Sequence, residues 1–142
     1  MKTTMLIYLV LAILASACVD DVEHVEEQFP QQWQLVRMTG IQGETGKYDH
    51  GLAWKEFYLL NPDGTFLKSR LDGGDKTSAT GMYAFTESGD EEFLVLTYSE
   101  PSEIIGSCTS DLTETLQVLS SSILIGTWSA CDGPGLEYFR VQ

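Results

Sequence analysis

Three cysteines, two histidines and twenty-one carboxylates bound the chemistry open to this 142-residue chain. A Ser, His and Asp relay needs a histidine placed as base. His24 stands among Asp20, Asp21, Glu23, Glu26 and Glu27, and His50 lies in a loop between Asp49 and Gly51, so both read as solvated residues. No Gly-x-Ser-x-Gly elbow, phosphate-cradling loop or His-Glu-x-x-His helix occurs. Carboxylates gather as Asp72 and Asp75 around Gly73 and Gly74, and as Asp90, Glu91 and Glu92. Such groups could act as acid and base or hold calcium, but the calcium-loop spacing with its terminal Glu is absent, and both clusters read as turns. The chain is therefore expected to be no enzyme and to carry no cofactor and no metal. Glu56 is the one acid to suspect, because it shares a strand face with Trp54 and Tyr58. Alternation alone leaves open whether that face or the one bearing Lys55, Phe57 and Leu59 points inward.

The cysteines sort by position. Cys18 follows Leu14, Ala15, Ser16 and Ala17 at the end of an apolar run from Met5, with Lys2 before it. A positive start, a short apolar segment and small residues make an export signal too short to span a bilayer as a mature helix. A cysteine at the cleavage point is suited to carry acyl chains, which would use its sulfur and anchor the protein. Cys108 and Cys131 then remain as a pair in an oxidising compartment, and a disulfide between them is predicted. Zinc would need further ligands at short spacing, and His24 and His50 are remote.

The N-terminal pattern resembles that of bacterial lipoproteins, in which a cysteine after small residues is diacylated before cleavage. The resemblance implies a signal peptide over 1–17, a lipidated acidic tether over 18–31 and one folded domain over 32–142. It implies a cell-envelope protein lipid-anchored to a bacterial membrane, at the outer membrane or cell surface, since acidic residues soon after the lipidated cysteine also resemble the surface-export signals of some Bacteroidota lipoproteins. Loss of residues 1–17 removes Lys2 and takes the formal net charge from −13 to −14. So acidic a surface repels nucleic acid and anionic headgroups, so the acyl anchor must supply membrane contact, and a basic protein is the partner such charge would suit.

Beyond residue 32 the chain breaks at Gly, Asn, Asp, Pro and Ser into short β-rich runs, with no helical apolar period sustained beyond two turns. Eight strands are predicted: Gln32–Thr39, Leu52–Leu60, Thr65–Leu71, Ser78–Thr86, Glu92–Ser99, Leu112–Leu119, Ile123–Ala130 and Leu136–Val141. Asn61, Pro62, Asp63 and Gly64 form the strongest hairpin signal, with Pro presetting φ and Gly supplying a positive φ. Ser120–Ser122, Asp132–Gly135 and Thr86–Glu91 supply further turns. The expected fold is all-β, an eight-stranded antiparallel up-and-down barrel, since closure removes the edges of an open sheet.

Trp33 with Leu35 on the first strand, the hairpin Asn-Pro-Asp-Gly-Thr-Phe at 61–66, and Gly81 with Tyr83 resemble the lipocalin-like domains of bacterial lipoproteins over residues 32–142. That resemblance implies a barrel that binds a small hydrophobic or amphipathic ligand, with Arg140 of the last strand lying across Trp33. Trp54, Tyr58, Tyr83, Phe85 and Trp128 would line its apolar cup if they point inward. Eight strands also leave an interior just wide enough for side chains to fill, in which case the same aromatics are core. The unbroken apolar runs Phe93–Leu96 and Ile123–Ile125 are expected to be buried on both faces.

Overall fold

Runs in which apolar residues recur at every second position become strands in the computed structural model, which describes residues 28–40, 47–48 and 51–142. The signal segment, Cys18, residues 19–27 of the tether, His24 and His50 lie outside the described residues. The strands are β1 (Gln31–Thr39), β2 (Lys47–Tyr48), β3 (Lys55–Leu60), β4 (Thr65–Asp72), β5 (Asp75–Ser88), β6 (Glu91–Tyr98), β7 (Thr113–Ser120), β8 (Ile123–Gly126) and β9 (Gly135–Arg140). From β3 to β9 each strand pairs antiparallel with the next, and β1 pairs with β3 on one side and β9 on the other. Eight strands, β1 and β3 to β9, thus close an up-and-down barrel, with the two-residue β2 adding to β1 at Arg37 and Met38.

Turn chemistry sets the register. At the β3–β4 hairpin Gly64 has φ +83°, Asn61 N–H donates to Thr65 O at 2.9 Å, and the Asp63 carboxylate accepts from the Thr65 amide at 3.0 Å and hydroxyl at 2.6 Å. Those two bonds favour the charged form and hold the Asp63 carboxyl below its ordinary value. Asp72–Asp75 and Ser88–Glu91 are tight turns between long strands, as their Gly pair and Gly89 require.

Inward positions alternate along β1, β3, β4 and β6 to β9: Trp33 and Leu35, Glu56, Tyr58 and Leu60, Phe66 and Lys68, Leu94, Leu96 and Tyr98, Glu114 and Leu116, Leu124, then Leu136 and Tyr138 are all buried. Burial of each large apolar side chain contributes about 1.5–3 kcal/mol. Aromatic packing continues through the interior, with Tyr58 edge-on to Tyr138 at 5.0 Å and Phe66 edge-on to Tyr98 at 4.9 Å.

Two expectations are corrected. The run expected as a strand to Ala130 ends at Gly126, and Thr127–Cys131 coils into a 3-10 turn. Its Thr127 hydroxyl bonds to Thr115 O at 2.8 Å, and the turn brings Cys131 back to Cys108, which a straight strand would carry away. The apolar runs Phe93–Leu96 and Ile123–Ile125 bury only one face: Leu94, Leu96 and Leu124 are buried, while Phe93, Val95, Ile123 and Ile125 are partly accessible on the outer wall. The pleat forces neighbouring residues to opposite faces, whatever their polarity. Among the described residues no helix is long and apolar enough to cross a membrane.

Candidate functional site

The interior is filled at its centre and lower end by charge. Glu56 on β3, Lys68 and Arg70 on β4 and Glu114 on β7 all point inward, two carboxylates against two cations. Lys68 Nζ donates to both Glu114 oxygens at 3.0 Å and to the Ile104 carbonyl at 2.7 Å, and lies 3.2 Å from Glu56 Oε1. Arg70 Nε donates to Glu56 Oε2 at 2.5 Å, and its guanidinium stacks 4.3 Å over the Trp54 ring. Three phenols complete the set: Tyr58 donates to Glu114 Oε1 at 2.9 Å, Tyr98 to Glu114 Oε2, and Tyr138 to Glu56 Oε1 at 2.5 Å. Burial, reinforced by Glu114 at Tyr58 and Tyr98 and by Glu56 at Tyr138, holds all three hydroxyls protonated far above the ordinary tyrosine range. Every carboxylate oxygen therefore has a donor, the condition under which ions persist in a low-dielectric interior. Trp54 Nε1 and Arg70 Nη2 have no hydrogen-bond partner among the described residues.

This end is closed by the chain between β6 and β7. Ile104 inserts into the barrel, and Gly106 passes so close to Glu114 that a Cβ there would stand 2.7 Å from Oε1, so only glycine fits beneath Trp128. The expected Cys108–Cys131 disulfide is present and ties this plug to the 3-10 turn across a sequence separation of 23. Replacing both cysteines by serine is expected to lower stability by about 3 kcal/mol on the chain-entropy model, read as a fall in the urea midpoint. An unchanged midpoint would mean that Lys68 and Trp128 alone hold the plug.

The opposite end is open. Here a cavity of about 550 Å³ is lined by Trp33, Phe85, Val118 and Leu119, with Gln31, Gln117, Asp90, Glu91, Glu92 and Arg140 around it. Its size is that of a small-molecule site. Trp33 is almost fully buried and forms the floor, its indole N–H bonded to Gln31 Oε1 at 3.1 Å. Gln117 Nε2 donates to Glu91 Oε1 at 2.6 Å, bracing the β6 carboxylate against β7. Arg140 stands opposite Trp33 in the β1–β9 register, with Nε and Nη2 donating to the carbonyls of Gln142 and Gln28 at 3.2 and 2.9 Å.

The structure separates the five aromatics that the sequence grouped. Phe85 lines the open cup, and Tyr83 lies beneath it at 6.0 Å edge to face, its hydroxyl on Asn61 O at 2.8 Å. Tyr58 is fully buried in the charged centre, and Trp54 and Trp128 stand at the plugged end over Arg70 and against Gly133. Sequence reasoning reached Glu56 but missed Lys68, Arg70 and Glu114. The available signal was a charged residue at an inward parity position: Lys68 and Arg70 follow Phe66, and Glu114 precedes Leu116, each by steps of two. Asp90, Glu91 and Glu92, expected as a solvated turn, are exposed and also border the cup. Among the described residues no group of three or more His, Cys, Asp and Glu is arranged to hold a metal ion. No protein-family model, no curated protein and no solved structure matches the chain.

Proposed function

We propose that this protein is a lipid-anchored, lipocalin-like lipoprotein of the bacterial cell envelope, without enzymatic activity, that binds a small hydrophobic or amphipathic ligand in the open mouth of its barrel. The observation that carries the reading is the cup of about 550 Å³ with an apolar floor at one end of a barrel whose other end is plugged. The charged cluster supports a structural role at the closed end, since Tyr58, Lys68 and Tyr138 are fully buried and no substrate reaches them. The leader ending in Cys18 supports anchoring. Twelve residues separate Cys18 from β1, at most about 45 Å of chain when extended, and β1 begins with Gln31 in the lining of the cup. An anchor at Cys18 would thus attach to the barrel at the end that carries the open mouth.

The test is a titration of the barrel, residues 28–142, which closes on its own core, with the neutral amphiphile decyl maltoside below its micelle-forming concentration. One molecule per chain is expected to bind, with affinity reduced at least tenfold by Phe85→Arg, which fills the cup and charges it. Leu71→Glu on the exposed outer wall should leave binding intact. Equal loss in both variants, or in neither, would remove the cup from the reading.

A further inference from the structure

The lining of the cup narrows the class of its ligand, an inference that rests on the reading just proposed. We infer that the ligand is a cationic amphiphile, an alkyl or aryl body bearing an ammonium or similar positive group. Trp33, Phe85, Val118 and Leu119 would take the apolar body. The rim would take the cation, because Asp90, Glu91 and Glu92 border the cup together with a single guanidinium, that of Arg140. Among the described residues Arg140 makes no ion pair with them: two of its nitrogens donate to the backbone carbonyls of Gln28 and Gln142. The polar partner of Glu91 is a neutral amide, Gln117.

Register adds a second, independent observation. Glu87 and Glu92 are direct cross-strand partners at the mouth, on the face that carries Phe85 and Leu94. Like charges placed opposite one another destabilise a strand pair, and a bound cation reverses the sign of that interaction. The described cations closest in role, Lys68 and Arg70, are committed to Glu56 and Glu114 inside the barrel, and Arg37 pairs with Glu137 at 3.3 Å. The protein thus spends its internal cations on internal carboxylates and leaves the rim acids without an ion pair among the described residues. An anionic amphiphile meets repulsion at this mouth, and a neutral one gains only apolar burial.

Calorimetric titration of residues 28–142 with decyltrimethylammonium, decyl maltoside and decyl sulfate, each below micelle formation, tests the charge preference at fixed chain length. The cationic probe is expected to bind at least tenfold more tightly than the neutral one at about 50 mM salt, with the sulfate weakest. Raising salt to about 0.5 M should shrink the gap, since rim charges are screened within a few ångströms there. The triple variant D90N/E91Q/E92Q should abolish the difference in affinity between the cationic and neutral probes. Equal affinities for all three probes, or a preference that survives the triple variant, would overturn the charge assignment and leave the cup standing. Failure of every probe to bind, or binding indifferent to Phe85→Arg, would instead remove the underlying reading.

Discussion

Lys68→Met is expected to destabilise the barrel by about 3–5 kcal/mol, the usual cost of removing one partner from a buried ionic set. The lysine is fully buried and its ammonium touches Glu114, Glu56 and the Ile104 carbonyl, so its loss leaves two carboxylates facing each other with Arg70 as the remaining cation. Part of that loss is local to the plug, because Ile104 O loses the ammonium that holds it. Glu114→Gln keeps a carbonyl oxygen for a phenol but leaves Lys68 and Arg70 to share the single carboxylate of Glu56, and should cost a similar amount. In the double variant neither charge remains exposed to the other's absence, so the losses should fall short of additive by more than about 1.5 kcal/mol, as contacting groups in one network do. Urea denaturation of the four proteins measures this directly. Additive losses would show that Lys68 and Glu114 contribute independently, contrary to their contact.

Alkaline pH should unfold the protein steeply. Burial raises the hydroxyl pKa of Tyr58, Tyr98 and Tyr138 in the native state, with Glu114 and Glu56 adding to the effect, whereas the unfolded chain ionises its tyrosines near 10. The native state then binds more protons than the unfolded one above that pH. The stability they contribute is intact below about pH 10 and is lost as pH rises beyond it, at up to about 4 kcal/mol per pH unit for three phenols. Phenolate absorbance should report these three tyrosines only together with loss of structure. Tyr138→Phe should reduce the slope by one proton. A gradual phenolate titration in a barrel that stays folded would contradict burial of these hydroxyls.

Much of the architecture was legible because its causes are local. The Asn61–Gly64 turn is decided by four neighbouring residues, and period-two alternation marks a strand within a window of six to eight. Seven of the eight expected strands appear with ends shifted by a few residues, and the eighth is cut short at Gly126. The disulfide was legible for a different reason, since setting Cys18 aside leaves two cysteines and one pairing. The five-aromatic cup was not legible. Trp54, Tyr58, Tyr83, Phe85 and Trp128 do share apolar or aromatic character, but their height along the barrel axis depends on how each strand is staggered against the next. The stagger sends Phe85 to the open mouth and Trp54 to the plugged end.

The amino-acid order by itself determined that the chain forms antiparallel strands, where most of them turn, and which residues alternate on each. It also determined the strong negative charge. Only the tertiary structure decided which face of each strand became the inside. For β3 the two faces, Glu56 with Tyr58 and Phe57 with Leu59, carry similar apolar weight, and Glu56 is admitted to the interior because Lys68 and Arg70 arrive there from the neighbouring β4 and Tyr138 from β9, far away in sequence. A carboxylate is tolerable inside only when its partners are already in place. Likewise Asp90, Glu91 and Glu92 are an ordinary acidic turn until closure of β1 on β9 sets Trp33 and Arg140 across the mouth from them. Pairing across a closed barrel is non-local, and no window of sequence contains both halves of the contact.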